Sequence, residues 1–271
     1  MTIGIGVIGS GESRGDTLIL VADTKGTAQH DSSSTERLHK IFPGSDTYIV
    51  ASGNMNYAAD LVPRIMRHID LCPVRKSDAI LHAIYTAMFE YHKWRVDREV
   101  FPKYKLSDWE DTEGMRDLIR DECWRFNLGC ELIIGTFDVD SRALLYRTSR
   151  VAHEEHADSP STLVHVWGEV IPGFTVIGTG SDPAEFWLNY RNHTLGYSDK
   201  RSAYHAYEAK RMAEKSPHVN ERIEMLIATP HRYDWIHDRG PVSGDWSIGM
   251  FREMFDEFGP KNTDQIPTLA G

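Results

Sequence analysis

A hydroxyl at Thr2, a carboxylate at Asp23 and an amine at Lys40 are side chains whose chemistry fits together. With Met1 removed, Thr2 carries its hydroxyl and its α-amine on one residue. An α-amine has an ordinary pKa of about 7.7–8.0, so near neutrality a good fraction is free to take the hydroxyl proton. The freed alkoxide is then a nucleophile for an amide carbonyl. A cation such as Lys40 lowers the amine's pKa by like-charge repulsion, and Asp23 holds that lysine charged and oriented. Gly53, after Ile49-Val50-Ala51-Ser52, supplies a backbone N–H for the developing oxyanion. Thr179 and Ser181, in Gly178-Thr179-Gly180-Ser181, offer supporting hydroxyls. Each residue also has a plain structural reading. Thr2 is a small residue after the initiator, Asp23 a turn acid, Lys40 a surface cation and Gly53 a strand-end turn. Ser181 or Asp182 would be a helix cap before Pro183.

Other patterns are weaker. Gly4-x-Gly6-x-x-Gly9 spells a dinucleotide fingerprint. A Rossmann turn needs a full strand before its first glycine and a helix after its last, and here a turn and another strand follow. His153-Glu154-Glu155-His156 lacks the four-residue histidine spacing of a zinc helix. Cys72, Cys123 and Cys130 are odd in number and without metal-type spacing, which argues for reduced, buried thiols. No cofactor and no metal are expected.

The elements that must position the candidate residues follow from the hydrophobic pattern. Apolar runs at 3–8, 17–22 and 47–51 read as strands covered on both faces, the first two joined by a turn from Gly9 to Gly15. Ala58, Leu61, Val62, Ile65, Met66 and Ile69 recur at helical steps, with Pro63 among them. A second helix, capped by Ser77, carries Ile80, Ile84, Met88, Tyr91 and Trp94 on one face. Residues 96–128 read as an insertion holding one short helix, Thr112 to Phe126. A hairpin follows at Cys130–Phe137 and Ala143–Arg147, then strands at Leu163–Trp167 and Phe174–Ile177. The Gly178–Pro183 segment leads into a helix with Phe186, Trp187 and Tyr190, and a second helix is expected from about Lys200 to Glu214. Ile223–Ala228 and His231–Ile236 read as paired strands, followed by a helix at Trp246–Phe255 and a polar tail from about 257.

The 271 residues suit one large domain or two small ones, and 41% apolar content provides for a sizeable core. A net charge of −10 argues against nucleic acid or an anionic membrane as the main partner. No signal-type start and no apolar run of membrane-spanning length is evident, so a cytoplasmic protein is expected.

Five of these stretches, in order, resemble the proteasome β-subunit family, including its bacterial ring-forming relatives. Thr2-Ile3-Gly4-Ile5-Gly6-Val7 is similar to the family's opening strand. Leu18-Ile19-Leu20-Val21-Ala22-Asp23-Thr24-Lys25-Gly26-Thr27 resembles its strand ending in Ala-Asp-Thr-Arg-x-Thr. His39-Lys40-Ile41-Phe42 matches its Lys-Lys-Ile segment. Ile49 to Gly53, continuing to Ala58-Ala59-Asp60, matches its glycine turn and helix start. Ile177-Gly178-Thr179-Gly180-Ser181 matches its Gly-Ser-Gly-Ser turn. The resemblance implies a single N-terminal nucleophile hydrolase domain, α+β in class, folded as a four-layer αββα sandwich. It implies Thr2 as nucleophile, Asp23 and Lys40 as the pair that tunes it, Gly53 as oxyanion donor, and Thr179 where the family has serine. It implies peptide or amide substrates and a homo-oligomeric ring or stack. Substrate, ring size and any partner ATPase stay open. Three departures stand out: a longer first turn, two possible registers at the start, and no Arg-Asp-Ala-x-Ser segment, whose place is taken by Lys215–Asn220 with Ser216 as a stand-in. The alternatives are a catalytically silent structural subunit and a small-molecule amidase on the same fold.

Overall fold

The computed structural model describes residues 3–11, 15–24, 39–104, 126–148, 168–217, 219–237 and 246–260, with helical pieces at 114, 117–119 and 122–123. The chain is mixed α and β, built on two antiparallel five-stranded sheets. In chain order the elements are β1 (Ile3–Gly11), β2 (Gly15–Asp23), β3 (Ile41–Pro43), β4 (Thr47–Gly53), α1 (Met55–Asp70) and α2 (Ser77–Glu99). After a 3-10 turn at Phe101–Tyr104 come β5 (Cys130–Phe137), β6 (Ala143–Thr148), β7 (Gly168–Val170) and β8 (Phe174–Gly178). The last are α3 (Ser181–Tyr190), α4 (Asp199–Ala213), β9 (Ile223–Thr229), β10 (Arg232–His237) and α5 (Ile248–Phe258). The first sheet runs β10-β9-β2-β1-β8 and the second β3-β4-β5-β6-β7.

Alternation along β1 and β2 sends side chains two ways. Ile3, Ile5, Val7, Ile19 and Val21 share a buried cluster with Ala203, Ala206, Tyr207 and Met212 of α4 and Leu188 of α3. Ile8, Leu18, Leu20 and Ala22 instead share one with Val50, Ile133, Phe137 and Leu145 of the second sheet. The opposite side of the second sheet, through Ile49, Leu132 and Ile134, packs on Leu61, Ile65, Ile80 and Ile84 of α1 and α2. Strands buried on both faces explain the unbroken apolar runs in the sequence.

Gly4 and Gly6 belong to the cluster between the sheets. A Cβ on Gly4 would lie 2.7 Å from Val50 Cγ1, and one on Gly6 2.8 Å from Ile133 Cγ2. These two glycines therefore serve close sheet-to-sheet approach, while Gly9 lies against Asp199 and Ser202 of α4, and β2, not a helix, follows them.

Several boundaries differ from the sequence expectations. The turn expected from Gly9 to Gly15 is shorter, because Gly9, Ser10 and Gly11 pair with Thr17, Asp16 and Gly15. Ser77 is the first residue of α2 and not its cap. Lys76 holds the cap position without a side-chain bond, while the Ser77 carbonyl accepts from the Tyr146 hydroxyl at 3.1 Å. Pro63 lies inside α1 on its exposed side, one turn after the exposed Ala59, so the carbonyl it leaves unmatched faces solvent. α1 starts earlier than its apolar pattern, at Met55, because Asn54 Oδ1 accepts from the amides of Asn56 and Tyr57.

The irregular region begins after Glu99 and not at 96, since Val96 and Val100 bury against Phe101, Ile119, Cys123 and Phe126. Phe126 keeps a helical bond, its N–H donating to Glu122 O at 2.9 Å. Its carbonyl is 3.0 Å from His92 Nε2, which ties the segment back to α2. Leu163–Trp167 and His153–His156 lie outside the described residues. Helices α3 and α4 and the β9–β10 pair stand where expected within a few residues. Helix α5 runs on to Phe258, past the expected start of the tail.

Candidate functional site

The antiparallel register of β1 on β2 places Ile3 opposite Asp23, one step beyond the Gly4–Ala22 pair. On its other side β1 pairs with β8, where Ile3 faces Gly178. The ends of three neighbouring strands thus bring the start of β1, Asp23 and the Gly178–Ser181 turn together. Thr2 itself lies outside the described residues. Its carbonyl carbon is bonded to Ile3 N, and that nitrogen donates to Asp23 Oδ1 at 3.1 Å.

Asp23 is fully buried. Its Oδ1 also accepts from Lys40 Nζ at 2.6 Å, and Lys40 is only 1% exposed. The surface cation of the plain reading is therefore excluded: the ammonium sits inside the protein on a carboxylate. Lys40 is fixed by its backbone as well, because its carbonyl accepts from Ala51 N at 3.0 Å. That bond links Lys40 to β4 just before Ser52 and Gly53.

Gly53 ends β4 with φ +91°, a left-handed conformation that favours glycine. It is exposed, while Ser52 before it is buried. Asn54 N then donates to Gly129 O at 2.9 Å, which closes the turn into α1.

Gly178 also has a positive φ, +91°, and its N–H donates to Glu131 Oε2 at 3.0 Å. Glu131 lies opposite Ser52 in the second sheet, so this bond crosses from one sheet to the other. Thr179 follows in the turn. Ser181 is the first residue of α3 and not its cap: Gly180 occupies that position, and the Ser181 hydroxyl lies 3.4 Å from Asp182 Oδ1. Asp23, Lys40, Gly53, Gly178 and Thr179 thus gather at one end of the two sheets. Ser181 follows two residues later, as the first residue of α3.

Residues not singled out in the sequence join this end. Glu224 of β9, opposite Ala22, is fully buried, and His39 Nδ1 lies 2.7 Å from its Oε1. Lys210 of α4 is fully buried too, bonded to Glu214 and, at 2.7 Å, to the Asn220 carbonyl. The Asn220 amide reaches Thr24 Oγ1 at 3.5 Å, next to Asp23. Burial pushes the Lys210 ammonium below the usual lysine range, and the charges of Glu214 and Asp23 oppose that. Burial also pushes the Glu214 carboxyl up, against the pull of Lys210 and Arg211. Ser216, the stand-in for the missing aspartate, lies two residues past the Glu214 C-cap of α4, with its N–H on Ala213 O at 2.9 Å.

The thiols are poor nucleophiles. Burial drives Cys130 up to about 11, and Cys72 and Cys123 shift upward for the same reason.

No protein-family model matches the chain, and no curated protein matches it significantly. Among the described residues, no helix is long and apolar enough to cross a membrane.

Proposed function

We propose that the chain is an N-terminal threonine hydrolase of the proteasome β-subunit type, a single domain that cleaves peptide or other amide bonds within a homo-oligomer. The observation that carries this reading is the double hold on Asp23 Oδ1, by Lys40 Nζ at 2.6 Å and by Ile3 N at 3.1 Å. A buried ion pair is expensive to desolvate and is weak evidence for stability alone. Placed on the backbone amide next to Thr2, it fits a device for tuning that residue. The three buried clusters, helix on sheet, sheet on sheet and sheet on helix, support a four-layer αββα sandwich.

In this mechanism Met1 is removed and the Thr2 amine takes the Thr2 hydroxyl proton. The Oγ attacks the amide carbon, and the Gly53 N–H steadies the oxyanion. The C–N bond breaks as the amine returns its proton to the leaving nitrogen, giving an acyl ester on Thr2. Water, deprotonated by the same amine, attacks the ester and releases the acid. Lys40 keeps the amine's pKa low, and Asp23 aims the lysine. Thr179 and Ser181 are the supporting hydroxyls. No cofactor or metal enters these steps, and an acidic, cytoplasmic enzyme with no nucleic-acid partner fits the charge of −10.

The test is hydrolysis of a panel of fluorogenic peptide amides by the purified oligomer, beside Thr2→Ala. Turnover that Thr2→Ala abolishes is the expected result, and turnover unchanged by that substitution contradicts the reading. A catalytically silent structural subunit is favoured by one observation: Lys215–Asn220 offers no carboxylate where the family carries its aspartate.

A further inference from the structure

Strand β9 opens Ile223-Glu224-Met225-Leu226-Ile227, and the carboxylate in that apolar run is fully buried. Glutamate is almost never buried to that degree unless something pairs with it. By register Glu224 lies between Ala22 of β2 and His237 of β10. Neither of its oxygens accepts an in-line hydrogen bond from a described residue. The group that meets it is His39, whose Nδ1 stands 2.7 Å from Oε1 although the histidine side chain is 61% exposed. Trp235 of β10 stands edge-to-face with the same ring, 5.9 Å between centroids.

His39 is bonded to Lys40, and the two residues are tied in three directions. The Lys40 carbonyl accepts from Ala51 N of β4 at 3.0 Å, and its ammonium donates to Asp23 of β2 at 2.6 Å. The preceding side chain meets Glu224 of β9. Consecutive side chains thus reach two buried carboxylates on neighbouring strands, since Glu224 lies opposite Ala22, the residue before Asp23.

We infer that His39 is a positioning residue: as the cation facing Glu224, it pins the chain so that Lys40 stays inside on Asp23. A bare buried carboxylate is expensive, so a cation at His39 is drawn to Glu224, and the Lys40 backbone is held with it. Two other groups stand beside the contact. Trp235 contributes ring packing, and His237, the cross-strand neighbour of Glu224, has its Nδ1 buried without a partner. The pin involves His39, Lys40, Asp23 and Glu224 alone; its part in hydrolysis rests on the reading of Lys40 as the cation that tunes Thr2.

The experiment is acylation of the native protein by acetic anhydride at one pH, with modified lysines located by peptide mass mapping. Lys40 is compared with Lys210, which is as deeply buried but belongs to α4 and reports general loosening. Two neutral variants break the pin: His39→Phe keeps a ring for Trp235, and Glu224→Gln leaves no bare charge. Each should raise Lys40 labelling by about 3- to 10-fold with Lys210 unchanged. His39→Arg, which keeps a cation and adds no reactive amine, should stay near wild type. Lys40 still protected in either neutral variant overturns the inference. So does equal Lys40 labelling in His39→Arg and His39→Phe, or a parallel rise at Lys210. If His39→Phe does not fold, as circular dichroism reports, Glu224→Gln decides alone. Thr2 takes no part in this readout, so wild type without peptide-amide turnover overturns the hydrolase reading and leaves the pin in place.

Discussion

Asp23 and Lys40 are the residues on which the account turns, and their burial fixes what substitutions do. Removing one partner leaves an uncompensated charge inside the protein, a loss of about 3–5 kcal/mol. Lys40→Met and Asp23→Leu should each lower the urea midpoint strongly, whereas the two combined should recover part of that loss. A double variant as unstable as the sum of the singles contradicts direct pairing. Under the proposed mechanism, either single substitution should lower turnover by about 10²-fold or more, because the pair is what tunes the Thr2 amine there. Gly53 is constrained by its backbone. A side chain there is strained at φ +91° and meets the Gly129 carbonyl, so Gly53→Ala should cost about 1–3 kcal/mol and displace the oxyanion donor. Thermal melting and turnover together check both effects.

Among the elements, α4 and the loop before it hold a second buried polar centre. His193 Nδ1 lies 3.2 Å from His205 Nδ1, with Tyr197 and Phe174 edge-on to the rings. Burial pushes His205 down to about 4, helped by the charges of His193, Arg201 and Arg191, and lowers His193 as well. In the unfolded chain a histidine titrates near about 6.5, so between that pH and 4 the unfolded state binds more protons. The stability held by the neutral pair is therefore complete above pH 6.5 or so and falls as the pH drops toward 4. Melting temperature across that range should decline, with a flatter slope in His205→Asn. An equal slope in the variant would assign the decline to other groups. The inter-sheet glycines make a further element-scale prediction. Gly4→Val overpacks against Val50 and Ile177 and should destabilise by about 1–3 kcal/mol, read in a denaturant titration.

Viewed as a whole molecule, the long strands and most helices were legible because burial on both faces leaves continuous apolar runs, whereas the three-residue β3 and β7 are too short to leave one. Packing on one side leaves the three-and-four spacing of α1. The candidate site was legible where local sequence and tertiary position coincide, as at Asp23 on a strand end and Lys40 before one. Lys210, Glu131 and Glu224 were not, because each reads locally as an ordinary surface charge and only the stacking of strands and α4 buries or bridges it. The missed signal for Lys210 was its setting, between Ala209 and Met212-Ala213 in an alanine-spaced helix. Caps failed for a related reason: Ser77 and Ser181 are good cap residues by type, but the chain enters both helices one residue earlier. The early turn was overestimated because Gly9, Ser10 and Gly11 look like loop residues and yet pair in register across β2.

The central claim concerns a single peptide bond and a single hydroxyl. Intact-mass measurement of the purified protein, before and after treatment with a β-lactone, with peptide mapping of the adduct, tests it most directly. The account predicts a mass lacking Met1 and one adduct per chain on Thr2, absent in Thr2→Ala. A chain that keeps Met1 and carries no adduct at Thr2 would contradict it.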